Sequence, residues 1–219
     1  MTEQEINTRV LQSKREQKNN KDFDKQCRFC HSKNEDVFHL LCSCDRLSAS
    51  MYLPFRHDEV AKELYNAIVK HHFPTSSYVT PRPIWVHQHI ELWWDMHIHT
   101  VPQVKNNKPD LVIWDKLKKT CHIIDVCVPL DQNVHTQEKT KVDTYTPLSV
   151  NLHRLYPDFT YEIVPIVMGA TGLITDSLLK SLTTILEKTK EVHSVTASMQ
   201  RKALIGSMRV LKSALAKKK

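Results

Sequence analysis

Glycine is scarce in this chain: Gly169, Gly172 and Gly206 are the whole set in 219 residues. A Walker phosphate loop or a dinucleotide-binding turn needs several closely spaced glycines, so neither can be built. No Gly-x-Ser-x-Gly elbow occurs, which argues against serine hydrolases, and there is no Asp-Asp pair of the kind polymerase palms use. Long apolar runs are missing as well. The longest largely apolar stretch, Ile163 to Ile174, is too short to cross a bilayer, and Met1-Thr2-Glu3-Gln4-Glu5 does not begin a positive-then-apolar leader. A soluble, intracellular chain with no membrane partner is expected. Acidic residues stop at Glu191, whereas Arg201, Lys202, Arg209, Lys212 and Lys217 to Lys219 lie beyond it. The net charge of +7 therefore resides in the C-terminal segment. Such a distribution suits a polyanion such as nucleic acid and equally an ordinary solvated helix face.

The length allows one domain of ordinary size with a small appendage, stable without disulfides. Residues 1–26 form a polar lead-in, helical or disordered. Residues 58–70 place Val60, Leu64, Ala67 and Ile68 on one stripe, acids first and lysine last, which predicts a helix ended by Pro74. Three prolines among Ser and Thr make 74–83 a linker and domain boundary, dividing 27–73 from 84–219. Residues 84–100 are ambiguous: Ile90, Trp93, Trp94 and Ile98 could form a helical stripe, while His97 and His99 alternate with Ile98 as in a strand. Asp110 to Asp115 and Cys121 to Val128 read as a β-hairpin. A helix follows from Val134 to about Tyr145, with Pro147 expected to kink or end it. Thr160 to Met168 is a further strand. Helices are expected over 176–190, on Leu178, Leu179, Leu182 and Leu186, and over 198–215, on Leu204, Met208, Leu211 and Leu215. The class is α/β, a mixed sheet flanked by helices, with a small N-terminal cysteine-rich module and helix.

Six cysteines occur, four of them bunched. Cys27-x2-Cys30-x8-His39-x4-Cys44 sets a thiolate pair ahead of an imidazole and a further thiolate, a donor set able to close a tetrahedron around Zn²⁺. Cys42 could replace Cys44, and His31 is a weaker stand-in for His39; the four-residue gap after the histidine matches a zinc knuckle and favours Cys44. Cys121 and Cys127 read as buried thiols. His97 with His99, and His87 with His89, have His-x-His spacing without a carboxylate or cysteine at matching distance, so ordinary polar positions are expected. Trp93 and Trp94 read as core in preference to a base-stacking pair.

Two carboxylates interrupt the hairpin strands. Asp110 heads Leu111-Val112-Ile113-Trp114, and Asp125 sits within Ile123-Ile124-Asp125-Val126-Cys127. A charge inside a buried strand needs a partner, which points to a cation or a lysine between them. Asp125 and Cys127 share a strand face, so a lysine in an Asp-x-Lys arrangement would stand where Cys127 is. Glu138, Lys141 and Tyr145, at i, i+3 and i+7, fall on one face of the next helix and offer the missing ammonium. Taken alone, Glu138 and Lys141 are also an ordinary solvated pair.

Lys108-Pro109-Asp110-Leu111-Val112, Ile123-Ile124-Asp125-Val126-Cys127-Val128-Pro129, Glu138-x2-Lys141-x3-Tyr145 and Val164 to Gly172 together resemble the restriction-like, PD-(D/E)XK endonuclease region of site-specific non-LTR retrotransposons, which carries a Cys-Cys-His-Cys knuckle just upstream. The similarity runs from about Cys27 to Leu215 and takes in Arg56-His57-Asp58 and Trp94-Asp95. It implies a restriction-endonuclease-like fold, structural Zn²⁺ and a catalytic Mg²⁺. Asp110 and Asp125 would hold the Mg²⁺, with the Val126 carbonyl as an extra ligand. Lys141 would act on the attacking water or the transition-state charge, Glu138 would hold the lysine or complete the metal shell, and Tyr145 would contact a phosphate or brace the helix. Asp95 would be an accessory carboxylate. DNA, and with it RNA, are the implied partners, in the nucleus. The polymerase that precedes such a region in those elements is absent from this chain.

Overall fold

The computed structural model describes residues 6–16, 24–73 and 78–216. Pro74, much of the lead-in and Lys217 to Lys219 lie outside the described residues. Five strands form one sheet in the order β1 (Ile84–His87), β2 (Ile90–Trp94), β3 (Leu111–Asp115), β4 (Thr120–Cys127), β5 (Thr160–Val167). Strands β1 to β4 are antiparallel neighbours, and β5 runs parallel to β4. A parallel pair cannot be joined by a tight turn, so the chain crosses over through helix α4 (Val134–Leu155).

The ambiguous 84–100 segment is a hairpin, turned at Gln88 and His89, and not a helix. Ile90 and Leu92 are buried while Glu91 and Trp93 are only half-buried, a period of two. His97 and His99 lie beyond the strand, in a loop. The expected β3–β4 hairpin is present, and its turn is fixed by Asp115, whose Oδ1 accepts from the amides of Leu117 (2.9 Å) and Lys118 (2.8 Å).

All of β3 is buried because both sheet faces are covered. On one face Leu111, Ile113, Ile124, Val126, Val164 and Ile166 pack under α3 (Asp58–His72), α5 (Asp176–Leu186) and α6 (Thr189–Ala216). On the other, Val112, Trp114, Cys121 and Ile123 pack under Tyr145, Leu148 and Leu152 of α4. Each large side chain fully buried this way contributes about 1.5–3 kcal/mol relative to exposure. Leu64, Tyr65 and Ile68 of α3 belong to the sheet's core, so a domain boundary at 74–83 has no counterpart in the packing.

Three helices depart from their sequence-based outlines. α4 runs ten residues past Tyr145 and through Pro147, since Leu148 and Leu152 anchor its far half to the sheet. α5 stops at Leu186, where Glu187 takes a left-handed φ of 59°, and α6 begins at Thr189. In α6 the buried stripe is Met199, Ala203, Val210 and Ala214, while Leu204 and Met208 are 40% and 48% exposed. The reason is close approach. A Cβ on Gly206 would meet the Phe55 carbonyl at 2.4 Å and the Arg56 Cα at 2.7 Å, so only a small-residue face fits there.

That neighbour is a widely wound π-helix, Ser48–His57, which follows α1 (Arg9–Glu16), a short π-helix at His39–Ser43 and the single turn α2 (Asp45–Leu47). The cysteine-rich module sits against the last turns of α6, burying Cys27, Leu40, Cys44 and Leu47 with Val210 and Ala214. Arg56 fastens the two together, donating to the Leu41 carbonyl (2.9 Å) and to Ser207 Oγ (3.3 Å).

Candidate functional site

Cys27, Cys30, His39 and Cys44 bring their ligand atoms within 4.8 Å of one another, and among the described residues no other group of three or more His, Cys, Asp and Glu side chains is so placed. The Cys27 and Cys44 sulfurs are 3.9 Å apart, and Cys30 Sγ is 3.3 Å from His39 Nε2. With Zn–S near 2.3 Å and Zn–N near 2.0–2.1 Å, a regular tetrahedron has edges of about 3.5–3.8 Å, so the donors stand at zinc-like spacing. Burial and the neighbouring Cys27 push the Cys44 thiol up to about 12 and burial raises Cys27, whereas in Cys30 burial is outweighed by the bonds from Ser32, Lys33 and His39, which bring it down to about 5. A Zn²⁺ ion would relieve that crowding. The scaffold is specific. The Phe29 amide reaches Cys27 Sγ at 3.5 Å, Asp36 Oδ1 accepts from the His39 amide at 2.7 Å, and the Tyr52 hydroxyl accepts from the Cys44 amide (3.2 Å) while donating to Leu40 O (2.8 Å).

The alternatives fall away. Cys42 lies outside the cluster, its sulfur accepting from Arg56 at 3.5 Å, and His31 is exposed on a left-handed turn with φ 53°. Glu35 is fully buried beneath the module, paired with Arg28 at 2.5 Å and accepting from the Arg9 amide at 3.1 Å, so it ties α1 to the cysteine-rich loop.

The second constellation lies where β3 begins. Leu111 pairs with Ile124, so extending the antiparallel register by one residue sets Asp110 opposite Asp125, on the α4 side of the sheet. Asp110 Oδ2 accepts from the Val126 amide at 2.7 Å. Asp125 is 5% exposed. Its Oδ2 is 2.5 Å from Lys141 Nζ and its Oδ1 accepts from the Tyr145 hydroxyl at 2.7 Å, with the Lys108 carbonyl 3.1 Å from the same hydroxyl. Burial and the Asp110 charge raise the Asp125 pKa against the pull of Lys141. Burial works to lower Lys141, and the Asp125 and Asp110 charges overcome it and raise it. Burial and the Asp125 charge together raise Tyr145, which stays a donor. Asp125, Lys141 and Tyr145 are therefore one assembly.

Glu138 is not part of it. No Glu138–Lys141 ion pair forms among the described residues, because Lys141 turns inward to Asp125 whereas Glu138 reaches the start of α5, accepting from Thr175 Oγ1 (3.3 Å) and Ser177 Oγ, with His135 Nδ1 at 3.1 Å. A carboxylate at a helix N-terminus is favoured by the dipole. Cys127 stands where an Asp-x-Lys lysine would, as a thiol that burial raises to about 11. Cys121 is buried as expected. Asp95, in a left-handed conformation (φ 51°), pairs with Lys108 at 2.8 Å.

One participant went unassigned in the sequence beyond its place in Arg56-His57-Asp58. His57 Nε2 lies 3.2 Å from Asp110 Oδ2 and 3.1 Å from the Val126 carbonyl, and its Nδ1 lies 3.0 Å from Asp58 Oδ1. Burial works to lower its pKa, but the bonds to Asp110 and Asp58 win and raise it to about 10. An imidazolium thus satisfies Asp110 and the Val126 carbonyl, two of the oxygens expected to face a metal. A histidine before two acids at a helix start carries no sequence signal of that contact. Outside this group, a cavity of about 460 Å³ is lined by His57, Asp58, Lys62, Trp94, Asp95 and Asp110, which gives Asp110 an approach from solvent. The donors there are hard oxygens and suit Mg²⁺ chemically, provided His57 yields its place.

His97 Nδ1 lies 3.2 Å from Asn107 Oδ1. Trp94 packs edge-on to Tyr65 at 5.2 Å in the main core. Of the basic C-terminal residues, Lys202 is used internally, 2.9 Å from Glu59, and Arg209 lies over the Phe55 ring at 5.8 Å; Arg201 and Lys212 are exposed. No family model matches the chain, and no curated protein matches it.

Proposed function

We propose that this chain is a metal-dependent DNA endonuclease related to the restriction-like region of non-LTR retrotransposons, with a zinc knuckle helping to position the nucleic acid and the nucleus as its place of action. The observation that carries the reading is the convergence of Lys141 and Tyr145, both from α4, on the buried Asp125 set opposite Asp110. A surface salt bridge would not need a buried carboxylate, and a purely structural pair would not need a second carboxylate beside it. The αββββαβ order from α3 to β5, with the acids on the hairpin and the ammonium on the crossover helix, supports the restriction-like fold assignment.

Asp110, Asp125 and the Val126 carbonyl would hold Mg²⁺, which when bound supplies charge stabilisation on the phosphate oxygens. Lys141 orients the attacking water through its ammonium and neutralises charge as the new P–O bond forms and the P–O bond to the leaving sugar breaks, the water giving up a proton to solvent and the leaving oxygen taking one from solvent. Tyr145 keeps the Asp125 carboxylate turned toward that centre. The rival reading, a non-catalytic nucleic-acid-binding remnant with DNA or RNA as partner, is favoured by His57 seated on Asp110 and by Cys127 in the lysine position. Supercoiled plasmid incubated with the zinc-loaded protein and Mg²⁺ separates the two. The enzyme reading expects nicking that an Asp110→Ala, Asp125→Ala double variant loses. Equal nicking by that variant, or salt-sensitive binding with no cleavage, decides against it.

A further inference from the structure

β3 begins at Leu111 opposite Ile124, whereas β4 runs on to Cys127, so the backbone of Val126 lies beyond the end of its antiparallel neighbour. Two side chains occupy that corner. Asp110 Oδ2 accepts from the Val126 amide at 2.7 Å, and His57 Nε2 stands 3.2 Å from the same oxygen and 3.1 Å from the Val126 carbonyl. A carbonyl can only accept, so Nε2 carries a hydrogen and donates. The lone pairs it takes are those through which Asp110 and Val126 would bind a hard cation, so the imidazole and the ion exclude one another.

The ring can leave, although its backbone is held. Arg56 is buried and bonded to the Leu41 carbonyl and to Ser207, and Val60 is fully buried in the core, which fixes the chain on both sides of residue 57. The His57 side chain itself lines the cavity of about 460 Å³ described above. Its Nδ1 lies 3.0 Å from Asp58 Oδ1, on a side chain that lines the same cavity. A change of side-chain rotamer therefore turns the imidazole away from Asp110 and into open space without moving a helix.

We infer that His57 gates the metal position, as an autoinhibitory contact that a divalent ion must displace. This rests on the cleavage reading, in which Asp110 and the Val126 carbonyl are metal ligands, and adds that a residue outside the ligand set controls how tightly the ion is held. A ring seated for about nine-tenths of the time lowers the apparent affinity about tenfold. His57 is a positioning residue in this role, and Asp58 is its anchor. Lys62 supplies the comparison: it is a second cation lining the cavity, but its ammonium lies 3.1 Å from Glu59 Oε1.

The test is a Mn²⁺ titration of the zinc-loaded full chain, followed by electron paramagnetic resonance of the free ion, in wild type and in three variants. His57→Ala should bind Mn²⁺ about tenfold more tightly than wild type. Asp58→Asn, at a side chain 45% exposed, should tighten binding in the same direction by loosening the anchor, and keeps the inference testable if the alanine variant folds poorly. Lys62→Gln should leave the affinity within about twofold, because it removes a positive charge without opening the corner. Equal affinity in wild type, His57→Ala and Asp58→Asn would overturn the inference. Weaker binding in His57→Ala would also overturn it, by making His57 a ligand, as would tightening by Lys62→Gln to the same extent, by making charge alone the cause. Those three results leave the cleavage reading standing, whereas a saturable site in none of the four proteins removes both.

Discussion

Lys141 shows how a single side chain joins stability to function. Its ammonium is the cationic partner of Asp125, a carboxylate that is 5% exposed. Replacing it by methionine keeps the stem and removes the charge. Stranding a buried charge costs roughly 3–5 kcal/mol. Asp125, however, is already raised in pKa by burial and by Asp110, so it can take a proton and limit the damage. The expected loss for Lys141→Met is therefore about 1–3 kcal/mol, read by urea unfolding. An unchanged unfolding midpoint would mean that the pair is incidental. At this scale the sequence was most legible where a residue type was chemically out of place. Asp125 inside an apolar run demanded a partner, and Lys141 seven residues after Val134 was the cation within reach. His57 was not legible, because nothing in a histidine ahead of two acids tells that a strand arriving some fifty residues later will place Asp110 against it.

Elements were legible in kind and less so in extent. The hairpin of β3 and β4 follows from two apolar runs about a turn, and α3 from its stripe and its charge polarity. α4 passes through Pro147 because burial of Leu148 and Leu152 outweighs a backbone penalty of about 3 kcal/mol. α6 was misread as to face: leucines at helical spacing signal a buried stripe only where the partner leaves room, and here the Phe55 and Arg56 backbone admits small residues alone. Two substitutions separate these views. Gly206→Ala should destabilise by about 1–3 kcal/mol through overpacking, despite alanine's better helix propensity. Leu204→Ala, on the exposed side, should stay within about 0.5 kcal/mol. Thermal unfolding of the pair checks both, and the opposite ranking would refute the assigned face.

At the scale of the whole molecule, the cysteine-rich module and the sheet domain share side chains. Cys27 and Cys44 pack with Val210 and Ala214, Arg56 reaches both the Leu41 carbonyl and Ser207, and α3 belongs to the sheet's core. The boundary suggested by the prolines was a compositional signal, and composition cannot report that a helix before a proline-rich segment packs back on strands after it. Metal removal should therefore be felt beyond the module. Chelating Zn²⁺ is expected to lower the melting temperature and to expose amides of the last turns of α6 to hydrogen exchange. Loss of protection confined to residues 27–44 would show that the two parts are energetically separate.

The resemblance that suggested cleavage chemistry rests on spacing, and the geometry adds a convergence of Asp110, Asp125 and Lys141 with His57 seated among the oxygens. Whether those oxygens take a divalent ion is the central question. Titration of the zinc-loaded protein with Mn²⁺, followed by electron paramagnetic resonance of the free ion, answers it most directly. One saturable site that disappears in Asp110→Ala and in Asp125→Ala is the result this account predicts. Titration without such a site, or a site that both variants retain, would contradict it.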